Sequence, residues 1–195
     1  MNNETDIEVC GTASDVNSGI ELINNVKCDL AIVDISLKGS VSGLELTKMI
    51  KNTFPNVQVL ILSMHDESLY AERAIRAGAR GYIMKQEMTD TIVKAIKRIM
   101  DGKIYLSENI SFKLLNELLY KQNEKINNSV EKLSDRELEI LRFIGEGNKT
   151  QDIAKKLCIS TKTVDTYKLR IKEKLNLEDS TELIKFAISW LHNGN

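Results

Sequence analysis

From residue 7 to residue 101, short β-rich apolar runs alternate with stretches whose apolar positions recur every three or four residues. IEVCGTA at 7–13 reads as a strand, and Val16, Ile20, Ile23 and Val26 follow at helical spacing. LAIVD at 30–34 reads as a second strand, before a helix predicted from about Ser42 to Asn52. VQVLILS at 57–63, a helix through ESLYAERAIRAG at 67–78, GYIMK at 81–85, and a helical face of Ile92, Ala95, Ile96 and Ile99 complete the series. Such alternation predicts an α/β doubly wound parallel sheet. Gly78 and Gly81 bracket the last helix-to-strand turn as helix C-terminal caps do, and Pro55, the only proline, stands just past a helix end.

From Leu133 onward the strand signal stops and the pattern predicts an all-α domain. In LSDRELEIL, Ser134 and Glu137 stand at capping-box spacing, where each side chain satisfies an orphan amide of the other. A glycine stop at Gly145 and Gly147 follows, then a second capping pair at Asn148 and Gln151 opening a short helix to about Leu157. Ser160 caps TKTVDTYKLRIKEKL. A short helix, a tight turn and a longer helix rich in Lys, Arg and Thr make a helix-turn-helix. A last helix begins at about Ser180, with Leu183, Ala187 and Leu191 on one face. Residues 108–130 are helical at first and then polar and Asn-rich, which reads as a linker flexible from about Lys121.

Charge sharpens this division. The net charge of the 195-residue chain is −1, yet residues 149–174 carry 8 basic and 3 acidic side chains, against 12 and 14 in residues 1–107. A basic island in a neutral chain fits phosphate binding, and it also fits a solvated helix face. On a helical wheel Val164, Ile171 and Leu175 face a core with Tyr167 at the border, while Lys162, Asp165, Thr166, Leu169 and Arg170 face outward. That outer face suits a major groove, with Lys149, Thr150, Lys168 and Lys172 placed to hold phosphates. No apolar run approaches the length of a spanning helix, and the opening MNNETDIEVC lacks a basic segment followed by an apolar one, so the expected location is the cytoplasm, without membrane contact. Cys10, Cys28 and Cys158 show no metal-type spacing and read as buried, reduced thiols. His65 and His192 show no metal-type partners, and no glycine loop cradles a phosphate, so the chain is not expected to be an enzyme.

Leu30 to Val33 form the uninterrupted apolar run of a strand covered on both faces, and Asp34 ends it with a charge. Ligands of parallel sheets bind beyond the carboxyl ends of the strands, so Asp34 stands where chemistry is expected. A strand-capping carboxylate facing water accounts equally for this stretch alone.

LSDRELEILRFIGEGNKTQDIAKKLCISTKTVDTYKLRIKEKL resembles the LuxR-type helix-turn-helix, while VDISLKG with SGLEL, VLILSMHDE and YAERAIRAGARGYIMKQE resemble the receiver of NarL/FixJ-family response regulators. The likeness spans nearly the whole chain. It implies a receiver at 1–107, a linker at 108–130 and a LuxR-type DNA-binding domain at 131–195. The implied function is a transcriptional regulator of a two-component system. In that family the Asp ending the third strand accepts a phosphoryl group from a histidine kinase, which falls on Asp34. The hydroxyl residue that reads the phosphoryl group falls on Ser63, the reorienting aromatic on Tyr82 and the pairing lysine on Lys85. The resemblance further implies double-stranded DNA as partner, a homodimer formed through the last helix, and magnesium for phosphorylation, with Asp34 among its ligands; the apolar surplus of that helix points to Leu183, Ala187 or Trp190 in the dimer, with core packing an equal account of each.

The sequence also departs from the family. Receivers open with a strand ending in an acid pair that holds magnesium, followed by a helix; judged from typical element lengths, about 25 such residues are missing ahead of Met1. The missing strand lies in mid-sheet in this fold. Either the sequence is a fragment or the receiver is degenerate, acting without phosphorylation as a dimerisation platform. On either reading this chain is expected to accept phosphoryl groups poorly, with Asp66 and Glu67 the nearest substitutes for the acid pair. Lys38 replaces a usual proline, and Cys158 stands where glycine is common, costing about 1 kcal/mol if the backbone is left-handed there.

Overall fold

The computed structural model describes residues 6–37, 39, 41–87, 89–120 and 129–193. The chain divides into two compact units, Met1–Leu37 with Gly43–Glu124, and Lys38–Ser42 with Lys125–Asn195.

In the first unit α1 (Val16–Asn25) leads to β1 (Leu30–Val33), α2 (Gly43–Thr53), β2 (Gln58–Ser63), α3 (Glu67–Arg76), β3 (Gly81–Met84), α4 (Thr89–Met100) and α5 (Glu108–Tyr120). Asp15 starts α1 by accepting the Ser18 N–H at 3.1 Å, and Asp66 starts α3 by accepting the Ser68 N–H at 2.7 Å. The sheet runs β1-β2-β3, all parallel, with Val33 opposite Ile61 and Ser63 opposite Met84. Leu60 and Ile83 of the sheet are buried against Ala95, Ile96 and Ile99 of α4. Burying each such aliphatic side chain contributes about 1.5–3 kcal/mol. The helical spacing read along 89–100 thus faces the sheet as expected.

The second unit holds a 3₁₀ turn (Ser129–Lys132), α6 (Asp135–Gly145), α7 (Thr150–Leu157), α8 (Thr161–Leu175) and α9 (Ser180–Asn193). The capping box of Ser134 and Glu137 is formed in both directions, and Ser160 caps α8 by accepting the Thr163 N–H at 3.0 Å. One core joins Ile140, Leu141 and Ile144 of α6, Ile153 and Leu157 of α7, Val164, Ile171 and Leu175 of α8, and Leu183 and Ala187 of α9. α6 and α9 cross so closely that a Cβ on Gly145 would lie 2.6 Å from the Ala187 carbonyl oxygen.

Four expectations are corrected. Residues 7–13 form no strand. A ladder needs a neighbour at about 4.8 Å, whereas this segment and β1 both line a groove of about 760 Å³, together with Leu22, Leu46 and Ile50. Asn148 does not open α7, whose cap position is Lys149 without a side-chain bond. Asn148 faces backward, its Nδ2 donating to the Phe143 carbonyl of α6 at 3.1 Å and its Oδ1 accepting from Lys156 at 2.7 Å. Gly78 takes a left-handed φ of 101° after α3, but Gly81 is the first residue of β3, where a Cβ would press at 3.0 Å on Ile99, Leu60 and the Tyr105 carbonyl. Finally, Cys10 and Cys158 are exposed and Cys28 half-buried. The part of the linker expected to be flexible falls on residues 121–128, and Lys38 likewise lies outside the described residues.

Candidate functional site

Three parallel strands deliver three side chains to one sheet edge. Asp34 follows β1, Ser63 ends β2, and Lys85 follows β3. The Asp34 backbone is held by α2: Gly43 N–H donates to the Ile35 carbonyl at 2.9 Å. A Cβ on Gly43 would fall 1.9 Å from the Asp34 carbonyl oxygen, so only glycine permits this approach.

The Asp34 carboxylate is bound at both oxygens. Oδ2 lies 2.5 Å from Lys85 Nζ and Oδ1 accepts the Ser36 N–H at 3.1 Å. Ser63 is buried, its Oγ accepting the His65 N–H at 3.1 Å, and its carbonyl accepts the Lys85 N–H at 2.8 Å. Tyr82 points inward, 1% exposed, and its hydroxyl donates to the His65 carbonyl at 2.8 Å. The edge thus gathers a carboxylate, a hydroxyl and a cation, groups from which a group-transfer site can be made.

Sequence reasoning passed over His65 and Ser36. His65 is buried, its Nε2 lies 2.6 Å from Ser36 Oγ, and its ring stacks on Tyr70 at 4.9 Å. Its position two residues beyond Ser63 was the available signal, but a search for metal-type spacing overlooks a histidine whose partner is a serine hydroxyl.

Receivers typically use magnesium, and the residues described do not assemble a site for it. Mg²⁺ requires near-octahedral oxygen coordination, and Asp34 is a single carboxylate already engaged at both oxygens. Asp66 caps α3, and Glu67 Oε1 accepts a hydrogen bond from Ser107 Oγ at 2.7 Å. Among the described residues no group of three or more His, Cys, Asp or Glu side chains is placed to hold a metal ion.

The second surface lies on α7 and α8. α7 ends at Cys158 with φ 52° and ψ 46°, the left-handed conformation that makes the turn tight. Lys149, Lys162, Asp165, Thr166, Leu169 and Arg170 are all exposed, Leu169 to 52%. Thr166, though exposed, donates its Oγ1 hydroxyl to the Lys162 carbonyl at 2.9 Å. Arg170 lies over the Tyr167 ring at 5.8 Å. Lys168 and Thr150, each expected to hold phosphate, bond each other at 2.5 Å (Nζ to Oγ1) and so tie α8 to the first residue of α7. Lys172 is half-buried on the same helix.

Residues 1–97 match the response regulator receiver domain, and residues 131–187 match the bacterial regulatory proteins of the luxR family. The chain belongs to the NarL/FixJ-type response regulators and is a two-component transcriptional regulator with a LuxR-type DNA-binding domain. It is 35% identical over 191 residues to the oxygen regulatory protein NreC of Staphylococcus haemolyticus, spanning 96% of this chain and 88% of that one. It also resembles RcsB of Salmonella enterica serovar Typhimurium bound to promoter rprA in the presence of phosphomimetic BeF3−. That likeness has 25% identity, 96% and 88% coverage of the two chains, and a TM-score of 0.58. A structure of two RcsB dimers bound to two parallel DNAs matches at 25% identity over the same shares with a TM-score of 0.54. No helix among the described residues is long and apolar enough to cross a membrane.

Proposed function

We propose that Asp34 is the phosphoacceptor of residues 1–107, that a histidine kinase is its donor, and that its phosphorylation governs binding of a homodimer to duplex DNA through residues 131–195 in the cytoplasm. The observation that carries this reading is the convergence of Asp34, Ser63 and Lys85 at one sheet edge, with Lys85 Nζ 2.5 Å from the acceptor carboxylate. Phosphoryl transfer is catalysed chiefly by positioning and charge neutralisation, and Lys85 supplies a fixed cation at the atom that reacts. Ser63 is the hydroxyl that reads the phosphoryl group, and Tyr82, tied to the His65 carbonyl, is the aromatic that follows the switch. DNA contact falls to α8 and the start of α7, with Lys162, Asp165, Thr166, Leu169 and Arg170 toward the bases and Lys149, Thr150, Lys168 and Lys172 toward the phosphates.

The lone carboxylate favours a second reading, a receiver that acts without phosphorylation as a dimerisation platform. One experiment separates them. The 195-residue chain is incubated with a small phosphodonor and magnesium beside a version carrying, ahead of Met1, the acid-ended strand and helix of a receiver. Weak labelling of the first and strong, Asp34-dependent labelling of the second is the expected result; no labelling of either establishes the platform reading.

A further inference from the structure

One flank of the first unit exposes apolar surface of a kind that the rest of the unit buries. β1 pairs with β2 alone among the described residues, so it is an edge strand. The opposite edge is covered, because Tyr105 bridges to Gly81 of β3. Parallel strands are normally buried on both faces, and β2 and β3 are largely so, yet Ile32 of β1 is 39% exposed. The same contrast appears across the groove. α1 presents Ile20, Ile23 and Val26 at helical spacing but buries none of its residues. Residues 8–13, whose composition favours a strand, are all exposed. The 760 Å³ groove is bordered by both flanks and walled by Leu22 and Ile23 of α1, Leu46 and Ile50 of α2, and Ile96 and Met100 of α4.

We infer that this groove is a strand acceptor: an extended apolar segment of a second polypeptide lies in it, adds to the free edge of β1 and gives residues 7–13 a strand to pair with. An unpaired edge is a template for another chain, and proteins guard such edges with lysine, proline or a bulge. Leu30–Val33 carries neither lysine nor proline. A small apolar molecule could fill the groove but could not meet the backbone N–H and C=O groups along β1, which require partners once water is displaced. A peptide strand satisfies both demands, with affinity from main-chain hydrogen bonds and selectivity from side-chain pockets. Because the walls from three helices are apolar, the occupant is a continuous run of Val, Ile or Leu, about five or six residues long. A charge in mid-strand would enter the groove unpaired, and a proline would remove a ladder donor. The bound strand would lie beside the one that leads to Asp34.

The test titrates the full chain into a fluorescein-labelled octapeptide, Lys-Val-Ile-Val-Leu-Ile-Val-Asp, and reads fluorescence anisotropy. Saturable binding is expected, weaker by about tenfold or more for the same peptide with proline at its third and fifth positions, and weaker by a similar factor for Ile32→Asp. Leu169→Asp, which changes an exposed apolar residue of the second unit, should bind the peptide as the parent does. Hydrogen–deuterium exchange of the unaltered chain should slow at residues 30–33 and 8–13 when peptide is present, a readout that holds even if Ile32→Asp disturbs the fold. Absence of saturable binding, equal binding of the proline peptide, or protection confined to other residues would overturn the inference. Protection of residues 30–33 that rises with the chain's own concentration, without peptide, would overturn it too and assign the groove to a second copy. Neither readout depends on Asp34, so the strand acceptor and the phosphoacceptor fail separately.

Discussion

Lys85 Nζ and Asp34 Oδ2 are 2.5 Å apart although the residues are separated by 51 positions and by the whole of β2. The side chains are 36% and 30% exposed, and ion pairs so accessible to water contribute about 0–1 kcal/mol. Lys85→Ala is therefore expected to change unfolding free energy by less than about 1 kcal/mol while sharply reducing Asp34 labelling in the strand-extended chain. Urea denaturation and phosphodonor labelling check the two halves; a large stability loss would assign Lys85 a structural role instead.

On the helix-turn-helix surface, base-facing and phosphate-facing residues are expected to fail differently. Thr166→Ala or Arg170→Ala should relax sequence preference at one base pair by about 1–3 kcal/mol. Lys149→Ala should weaken binding to all duplexes alike and lower the salt slope by about one unit. Titrations of the full chain against operator variants at several salt concentrations distinguish the classes. Lys168→Ala should additionally loosen α7 from α8, because it removes the bond to Thr150.

The sequence expectation for the dimer face is revised on α9. Leu183 and Ala187 are 2% and 0% exposed in the core of the second unit, whereas Ile184 and Ile188 are 48% and 41% exposed. Trp190, the third residue expected there, is half-buried against that same core. Ile184→Glu is expected to abolish cooperative DNA binding without lowering the melting temperature. Leu183→Glu should unfold the second unit, since an unpaired charge would enter its core. Sedimentation together with thermal melts decides the matter, and unchanged cooperativity in a folded Ile184→Glu chain would move the interface elsewhere.

Glu137 gives the second unit a defined acid sensitivity. Burial raises its pKa, but the Lys174 ammonium at 2.6 Å and the Ser134 N–H at 2.7 Å outweigh that and hold it below the ordinary value. A depressed folded-state pKa contributes stability that is present above the unfolded value and lost as pH falls through the folded one. Glu137→Gln should therefore melt lower than the parent at pH 7, and the difference should shrink on acidification below about pH 4. A gap that persists undiminished at pH 2 would mean that the amide's poorer cap geometry, not the charge, is responsible.

Periodicity, capping spacing and the placement of Asp34 were enough to read the alternating first half, the helical second half, the Ser134–Glu137 box and Asp34 at a sheet edge, while Ser63 and Lys85 were reached only through the resemblance to receivers. These features are local, or follow from the rule that parallel strands end together. Other features needed the tertiary structure. α9 carries two apolar stripes one residue apart, Leu183 with Ala187 and Ile184 with Ile188, and only the crossing with α6 decides which is buried. Asn148 stands at capping spacing to Gln151, yet the Phe143 carbonyl at the end of α6 takes both its backbone N–H and its side-chain amide. IEVCGTA has strand composition, but among the described residues it pairs with no strand and lines a groove together with β1. The sequence by itself determined which residues had to be apolar and which turns could form; which partner each side chain met, Ser36 for His65 and Phe143 for Asn148, was decided by packing, because hydrogen bonds and close contacts depend on distances that residue spacing does not encode.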